Sequence, residues 1–493
     1  MGASMTDSGG EPASGALELL DKLCAVRSAI AGEAHALLAQ IGGSSNDPSL
    51  ANLAHYLLLR RRDLRPLQRQ LMLRGLSSLG RLEGRVLPGL DATIAALSAV
   101  VGRDPSFPAP TEDQFFAGEN RLAAASTRLL GDPFGDRRTA IMVTLPSEAA
   151  DDPELVAEYA RAGMDIARIN CAHDDKDAWR RMSSNVRSAA LSVGRPLRVL
   201  MDIAGPKIRT GTVGPCKERL LDGDTLLLFA DAAALERGDA RFVATISLPA
   251  ILARLAVGDR VLYNDGKLEG IVETVAPGEV RVRVTMTRAG GVKLRAEKGL
   301  NFPDTSLGLS PLTSKDEADI ATLIECADLL GYSFVSEADD ISLLERLLAE
   351  HGGRPSLGLV AKIERPEAIQ NLPALIARAT RDRPFGIMIA RGDLAVEIGF
   401  ERLAEMQEEL LWLSEAAAVP VIWATQVLEG LIVQGVPTRG EMTDAAMSAR
   451  AECVMLNKGP NLVAAIEVLD RLLGRMDDNL DKKTPLLRAL KSW

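Results

Sequence analysis

Several short apolar runs in this chain end in charged or hydrogen-bonding residues that a buried strand would otherwise exclude. The run ends carry Arg168 and Asn170, Asp202, Lys362 and Glu364, Arg391 and Asp393, and Thr425. Residues two apart on a strand share a face, so Lys362 and Glu364 point one way together, as do Arg168 and Asn170. Glu364 and Asp393 are hard oxygen donors, suited to Mg²⁺ with positions left for water and substrate oxygens. Lys362 and Arg168 add positive charge around a transferring phosphoryl group or a carboxylate-bearing substrate, the composition of an electrostatic clamp. An ion-pair layer that only closes a barrel is the structural alternative for Lys362 and Glu364. Asp393 resists that alternative, because Gly392 beside it lets backbone approach a ligand and a following helical turn presents free N–H groups to an anion.

Such residues converge only if the runs that carry them lie side by side. Eight apolar runs begin at Thr139, Met164, Leu197, Leu329, Leu357, Phe385, Pro420 and Cys453, with amphipathic stretches such as DPELVAEYARAG between or after them. That alternation predicts βα repetition and a parallel sheet. From about Thr210 to Leu300 the pattern changes to alternating segments such as EGIVETV and EVRVRVTMT with glycine turns, which predicts an antiparallel β insertion. With this insertion of about 91 residues set aside, about 247 remain, near the ~250 of a (β/α)₈ barrel, whose active site lies at the C-terminal strand ends. An open eight-strand sheet is the alternative, weakened because no Gly-x-Gly-x-x-Gly turn follows the first run.

Upstream, from about Ala16 to Val101, apolar residues recur every three to four positions and predict helical hairpins, with breaks at Gly42–Ser45 and at Pro88-Gly89. The segment DPSFPAPTEDQFFAGEN reads as a linker. The expected organisation is a disordered leader at 1–15, an all-α region at 16–138, an α/β (β/α)₈ TIM barrel at 139–209 and 301–476, a small β-barrel lid at 210–300 and a C-terminal tail at 477–493.

Composition narrows the function classes. Hydrophobic residues are 47% and charged residues 25% of the 493, ordinary globular usage that argues against general disorder. Aromatics at 4% argue against base stacking, and the net charge of −10 against nucleic-acid or anionic-membrane binding. Five cysteines without a Cys-x-x-Cys pair suggest neither a zinc knuckle nor a disulfide framework, so a cytoplasmic setting is expected. The Ser/Gly-rich start lacks the pattern of a signal peptide, and no run of about 18 apolar residues predicts a spanning helix. Residues Arg60 to Arg85 hold eight arginines against Asp63 and Glu83. They read as a solvated or interdomain helix face in preference to an anion site.

The motifs together resemble the pyruvate kinase family. The chain carries ARINCAH at 167–173, DIAGPKIRTG at 202–211, EKGLNFP at 297–303, SFV at 333–335, KIE at 362–364, ARGDL at 390–394, and ATQVLEG followed by PTRGEMTD at 424–444. They fall in register over about 139–459, with the β insertion where that family has its lid. The resemblance implies phosphoryl transfer from phosphoenolpyruvate to ADP, giving pyruvate and ATP, with Mg²⁺ or Mn²⁺ held by Glu364 and Asp393. It implies that Arg168 binds the substrate phosphate and Lys362 stabilises the phosphoryl group in flight. Ser333 and Thr425 would line the pocket, Thr425 where a proton is delivered, and the turn Arg391-Gly392-Asp393 would hold the substrate carboxylate. Arg209, His173 and Lys298 would face the nucleotide phosphates, with a structural histidine the alternative for His173. A homo-oligomer of open stoichiometry is expected.

The departures from the family pattern carry expectations of their own. In the monovalent-cation site Asn170 and Asp202 remain, Ala172 replaces a serine, and Lys207 stands where the family has a glutamate, so K⁺ is not expected to be required. MLNKGPN at 455–461 and Ala395 alter the pocket mouth. Without the family's C-terminal regulatory domain, sugar-phosphate activation through it and the usual tetramer contact are not expected. Two other readings stay open, a metal-dependent lyase or aldolase acting on a pyruvate-like enolate and a non-catalytic phosphoenolpyruvate sensor.

Overall fold

The computed structural model describes residues 10–237 and 241–486. Its N-terminal part consists of α1 (Gly10–Gln40), α2 (Pro48–Arg60), α3 (Arg65–Leu73), α4 (Val86–Val100) and α5 (Glu112–Leu130). Asp47 starts α2 by accepting from the amides of Ser49 and Leu50 at 2.8 and 3.2 Å, an N-cap with proline at the first helical position. Three expectations need correction here. Residues 10–15 belong to α1 instead of a disordered leader, while residues 1–9 lie outside the described residues. Pro88 and Gly89 break nothing, because they sit in the first turn of α4, where a proline N–H would have no intrahelical acceptor. The supposed linker ends at Thr111, whose hydroxyl accepts from the Gln114 amide at 3.3 Å while the Gln114 side chain accepts from the Thr111 amide at 3.0 Å. That capping box begins α5.

Barrel strands β1 (Ala140–Thr144), β2 (Ile166–Asn170) and β3 (Arg198–Asp202) precede the insertion. The insertion holds β4 (Thr210–Val213), β5 (Thr225–Phe229), β6 (Phe242–Ile246), β7 (Arg260–Tyr263), β8 (Leu268–Ala276), β9 (Glu279–Thr287) and β10 (Leu300–Asn301) in one sheet with its own core. It is not wholly antiparallel, since β5 and β6 run parallel. The chain then returns as β11 (Leu329–Tyr332), β12 (Gly358–Ile363), β13 (Phe385–Ala390), β14 (Val421–Ala424) and β15 (Cys453–Leu456). These strands close with β1 to β3 in the order β1-β15-β14-β13-β12-β11-β3-β2, every pair parallel. The expected barrel, β insertion and N-terminal helical part are thus the observed architecture. Among the described residues no helix is long and apolar enough to cross a membrane.

The helical part closes the floor of the barrel. Leu129 and Leu130 of α5 join the core formed by Met142, Ile166, Leu200, Leu329, Val360, Met388 and Ile422. Gly358 is the first residue of β12 and Gly386 the second of β13, and a Cβ on them would stand 2.7 and 2.5 Å from the Leu129 methyls. Absent side chains there make room for the plug. Asn52 of α2 ties the outer contact by donating to the Glu83 and Ala416 carbonyls at 2.6 and 2.8 Å.

The arginine-rich window serves the same contact. Arg60 stacks on Trp412 at 4.6 Å and Arg81 pairs with Glu415 at 3.1 Å, while Arg62 pairs with Glu33 of α1 at 3.0 Å within the helical part. At the other end of the chain, a small hairpin pairs Leu480–Asp481 with Thr484–Pro485, and Lys483 in its turn pairs with Glu83. Leu129→Ala is expected to lower stability by about 2–5 kcal/mol, because the cavity lies between backbones that cannot collapse into it. Urea unfolding of the full chain measures that loss.

Candidate active site

The C-terminal ends of β2, β3, β11, β12 and β13 border a cleft of about 390 Å³. Asp202, 1% exposed, ends β3 at its centre. Arg168 of β2 donates to Asp202 Oδ2 through Nε at 2.9 Å and through Nη2, and Lys362 of β12 reaches Oδ1 at 3.4 Å. One carboxylate therefore balances two cations. Gly331 of β11 allows this, since a Cβ there would lie 2.8 Å from Asp202 Oδ1. Thr144 at the end of β1 fixes Arg168 from the other side, its hydroxyl 3.0 Å from Nη1.

Lys362 Nζ also meets Glu364 Oε1 at 2.8 Å and donates to Ser333 Oγ at 2.7 Å, while Ser333 donates to the Ile203 carbonyl at 2.6 Å. Burial alone would push the Lys362 ammonium down, but Asp202 and Glu364 outweigh it and hold its pKa above the usual lysine value. Burial would raise Asp202, yet Lys362 and Arg168 bring it below the usual carboxylate range. Glu364 goes the other way, as burial raises it, Lys362 relieves only part of that rise and the negative charge of Asp393 adds to it. The second oxygen of Glu364 accepts from the Phe334 amide at 2.8 Å, with Phe334 in the left-handed region at φ 58°.

Asp393 lies in the first turn of the helix Arg391–Ile398 and accepts from Lys207 Nζ at 2.8 Å. Asn301 of β10 donates to Glu397 on the same helix at 2.8 Å, so the lid is anchored to the element that carries Asp393. Glu364 and Asp393 supply two hard oxygen donors in one cleft, and no cluster of three or more His, Cys, Asp or Glu residues placed to hold a metal ion occurs among the described residues. This donor set fits a hard divalent cation that keeps most of its positions for water and substrate oxygens. A softer or transition-metal site would call for imidazole or thiolate ligands.

The cleft gathers Arg168, Asn170, His173, Asp202, Lys207, Arg209, Ser333, Lys362, Glu364 and Asp393 from the residues read in the sequence. Others stand outside its lining. The Arg391 guanidinium turns away to donate to the Ala424 and Thr425 carbonyls at 3.0 and 2.7 Å and to pair with Asp444. Its side chain ties β14 to the neighbouring helix, leaving only the backbone of its turn for a ligand. Thr425 Oγ accepts from the Gly392 amide at 2.7 Å, one step behind Asp393, and its backbone is left-handed at φ 66°. For a β-branched residue that is a strained conformation of the kind held at functional sites. Lys298 lines a separate pocket in the lid. His173 is shifted below the usual imidazole value by burial and then by Lys458.

Several residues of the site went unread in the sequence. Thr144 ends the first apolar run and could have been found by asking which polar side chain closes that strand. Asp444 lies inside PTRGEMTD, where its role becomes visible only when Arg391 is seen to reach it. Lys315 enters the cleft from the helix Ser314–Cys326 with no signal in its surroundings.

Over its barrel the chain is similar to known proteins. The family model described as the pyruvate kinase barrel domain matches residues 136–460. A pyruvate kinase of Methylorubrum extorquens is 34% identical over 348 residues, 69% of this chain and 69% of its own. One of Mycobacterium tuberculosis is 33% identical over 71% of this chain and 72% of its own. The human pyruvate kinase PKLR is 32% identical over 66% of this chain and 57% of its own.

Removing the shared counter-charge should cost more than removing any exposed pair. Asp202→Asn leaves Arg168 and Lys362 buried without balance and is expected to lower stability by about 3–5 kcal/mol. Glu154→Gln, which breaks an exposed pair with Arg161, should change it by at most about 1 kcal/mol. Denaturant titration of both variants makes the comparison.

Proposed function

The chain belongs to the pyruvate kinase family, and from that premise we propose that it moves the phosphoryl group of phosphoenolpyruvate to ADP. The bond from the enol oxygen to phosphorus breaks and a bond from the terminal ADP oxygen to phosphorus forms. The enolate left behind takes up a proton to give pyruvate. The observation that carries this reading is the convergence of Arg168, Lys362, Glu364 and Asp393 on one cleft at the C-terminal mouth of the barrel.

In this proposal Arg168, held at a fixed angle by Asp202 and Thr144, receives the substrate phosphate. Lys362 stays charged because two carboxylates face it, so it stabilises the phosphoryl group in flight and the developing enolate oxygen. Ser333, hydrogen-bonded to Lys362, lines the pocket. Backbone amides opening the helix Arg391–Ile398 hold the substrate carboxylate, and Thr425 stands behind them on the side where the enolate carbon is protonated. Arg209, His173 and Lys298 approach the nucleotide phosphates. Glu364 and Asp393 would hold Mg²⁺ or Mn²⁺, which supplies Lewis-acid stabilisation of phosphoryl and enolate charge when bound. Closure of the lid would exclude water and favour transfer over hydrolysis. A cytoplasmic setting and a homo-oligomer of open stoichiometry belong to the same proposal.

Independence from K⁺ is proposed as well, and the contacts of the assigned residues support it. Asp202 already faces Arg168 and Lys362, and Asn170 Oδ1 accepts from the Ala172 amide at 3.1 Å. The Lys207 ammonium supplies a fixed positive charge on the same cleft, against Asp393.

A coupled assay of pyruvate formation with phosphoenolpyruvate, ADP and Mg²⁺ tests both statements. Turnover is expected without K⁺ and should change little when K⁺ is added, and Lys362→Met should lower kcat by at least ~10²–10³-fold. No pyruvate above the Lys362→Met background would overturn the activity. A steep K⁺ requirement would overturn the second statement alone.

A further inference from the structure

A second concentration of positive charge lies in the lid. Arg219, Lys267, Arg288, Lys293, Arg295 and Lys298 line a separate pocket of about 270 Å³. Three segments of backbone hold them in place. The turn after β7 passes through Asn264, Asp265 and Gly266 at φ 54°, 58° and 74° and delivers Lys267. Arg288, just past β9, is fixed by its amide donating to the Lys267 carbonyl at 3.2 Å. Val292 and Leu220 exchange amide hydrogen bonds of 2.9 and 2.8 Å, which brings Arg219 beside the segment carrying Lys293, Arg295 and Lys298. The Tyr263 hydroxyl pins that segment by accepting from the Arg295 amide at 2.8 Å.

These six cations share a lack of counter-charge within one concavity. Arg260, on the same lid, is paired with Asp304 at 2.8 Å, and Arg241 with Glu218 at 2.6 Å. Among the described residues no carboxylate lines the pocket or pairs with any of its six cations; Arg219 alone spends one N–H, on the Gly291 carbonyl at 3.2 Å. Clustered like charges repel, and a bound anion relieves that repulsion. In a chain with 67 acidic residues and a net charge of −10, leaving all six unpaired in one concavity is what an anion site requires and what a solvated surface does not.

Size and composition narrow the ligand. Pockets for drug-sized molecules run from about 300 to 1,000 Å³ and are lined mostly by apolar side chains. This one is smaller and nearly all cationic, suited to a compact group of high charge density with no apolar body. We propose that the lid pocket binds a compact phosphate-bearing polyanion of the pyrophosphate type. Its source is a phosphorylated small molecule other than the two substrates, because the pocket shares no lining residue with the cleft; the terminal phosphates of the nucleotide carry the same chemistry and are the alternative that the kinetics test. Lys298 connects the pocket to the cleft, since the next residue, Gly299, has its Cβ position 3.5 Å from Lys207 Cε, and Lys207 pairs with Asp393.

Calorimetric titration of the full chain with sodium pyrophosphate reads the binding without requiring turnover. Saturable binding is expected, weaker at high salt, and reduced at least about tenfold in Lys267→Gln/Arg288→Gln and in Lys293→Gln/Arg295→Gln. Lys362→Met should bind as the unaltered chain does. Steady-state kinetics separate the two sources. Competition of pyrophosphate with ADP, with a raised KM for ADP in both double variants, would give the pocket to the nucleotide and overturn the proposal. A change of rate at saturating ADP that both double variants lose, with KM for ADP unmoved, assigns a separate effector. Absence of saturable binding, or equal affinity in the unaltered chain and both double variants, overturns the proposal. Because the titration needs no pyruvate formation, its failure and failure of the phosphotransfer reading are told apart.

Discussion

Asp202 takes charge from Arg168 on one side and Lys362 on the other, and those two cations keep only 11% and 12% of their side-chain surface exposed. A guanidinium and an ammonium so far removed from water would each lose several kcal/mol of solvation. The single carboxylate returns part of that loss, and the hydroxyls of Thr144 and Ser333 return more. Every other feature of the cleft is arranged around this contact. Gly331 leaves space for the carboxylate, and Cys171 donates its amide to the Asp202 carbonyl at 3.0 Å, fixing the backbone behind it. The negative charges of Asp202 and Glu364 together keep Lys362 protonated, and Glu364 and Asp393 are the two carboxylates that a hard cation would draw from their lysine partners.

An arrangement of this kind is costly, and the stability that tolerates it is found at the other end of the barrel. There the contacts are apolar and close, with Leu129 and Leu130 entering a core of branched and sulfur-containing side chains. Burial without unmet polar groups is the cheapest source of stability in the molecule. Separation along the strands follows, with a packed floor that takes no part in chemistry and a charged mouth that contributes little to folding. The helical part reaches the mouth nowhere in the contacts described above, so its influence on the site passes through the barrel strands it braces.

How far the sequence revealed this division depends on which contacts are local. All eight barrel strands were legible because parallel strands buried on both faces must be apolar runs, and charges at their ends then had no structural excuse. The cleft residues Arg168, Asp202, Lys362, Glu364 and Asp393 were visible for that reason. Arg391 was not legible in the same way, because its partner Asp444 lies 53 positions along the chain and nothing in the spacing says that the guanidinium turns outward. Lys298 went to a lid pocket for a similar reason, since three separate segments must fold before that pocket exists. Pro88-Gly89 misled because proline is a breaker only past the first helical turn, a distinction the dipeptide does not carry. The leader misled because Ser- and Gly-rich composition weakens a helix without forbidding one that continues into the apolar face of α1.

Positive charge therefore serves two physical purposes in this chain, and the contacts tell them apart. In the cleft Arg168, Lys362 and Lys207 each face a carboxylate, which fixes their positions but lowers the field they offer to an incoming anion. In the lid pocket the cations are placed chiefly by the backbone that carries them, through the turn at Asn264 and the pinning of the segment by Tyr263, and no carboxylate partner diminishes their field. A paired cation is suited to a reacting group, whose charge changes during the reaction and must be met at a fixed distance. An unpaired cluster is suited to a group whose charge stays constant while it is attracted and retained. A lid that moves gains from the second kind, because an anion held there adds attraction toward the cleft without occupying any residue that the cleft needs. Asn301, bonded to Glu397 on the helix that bears Asp393, is the point where such a movement would be felt by the reacting site.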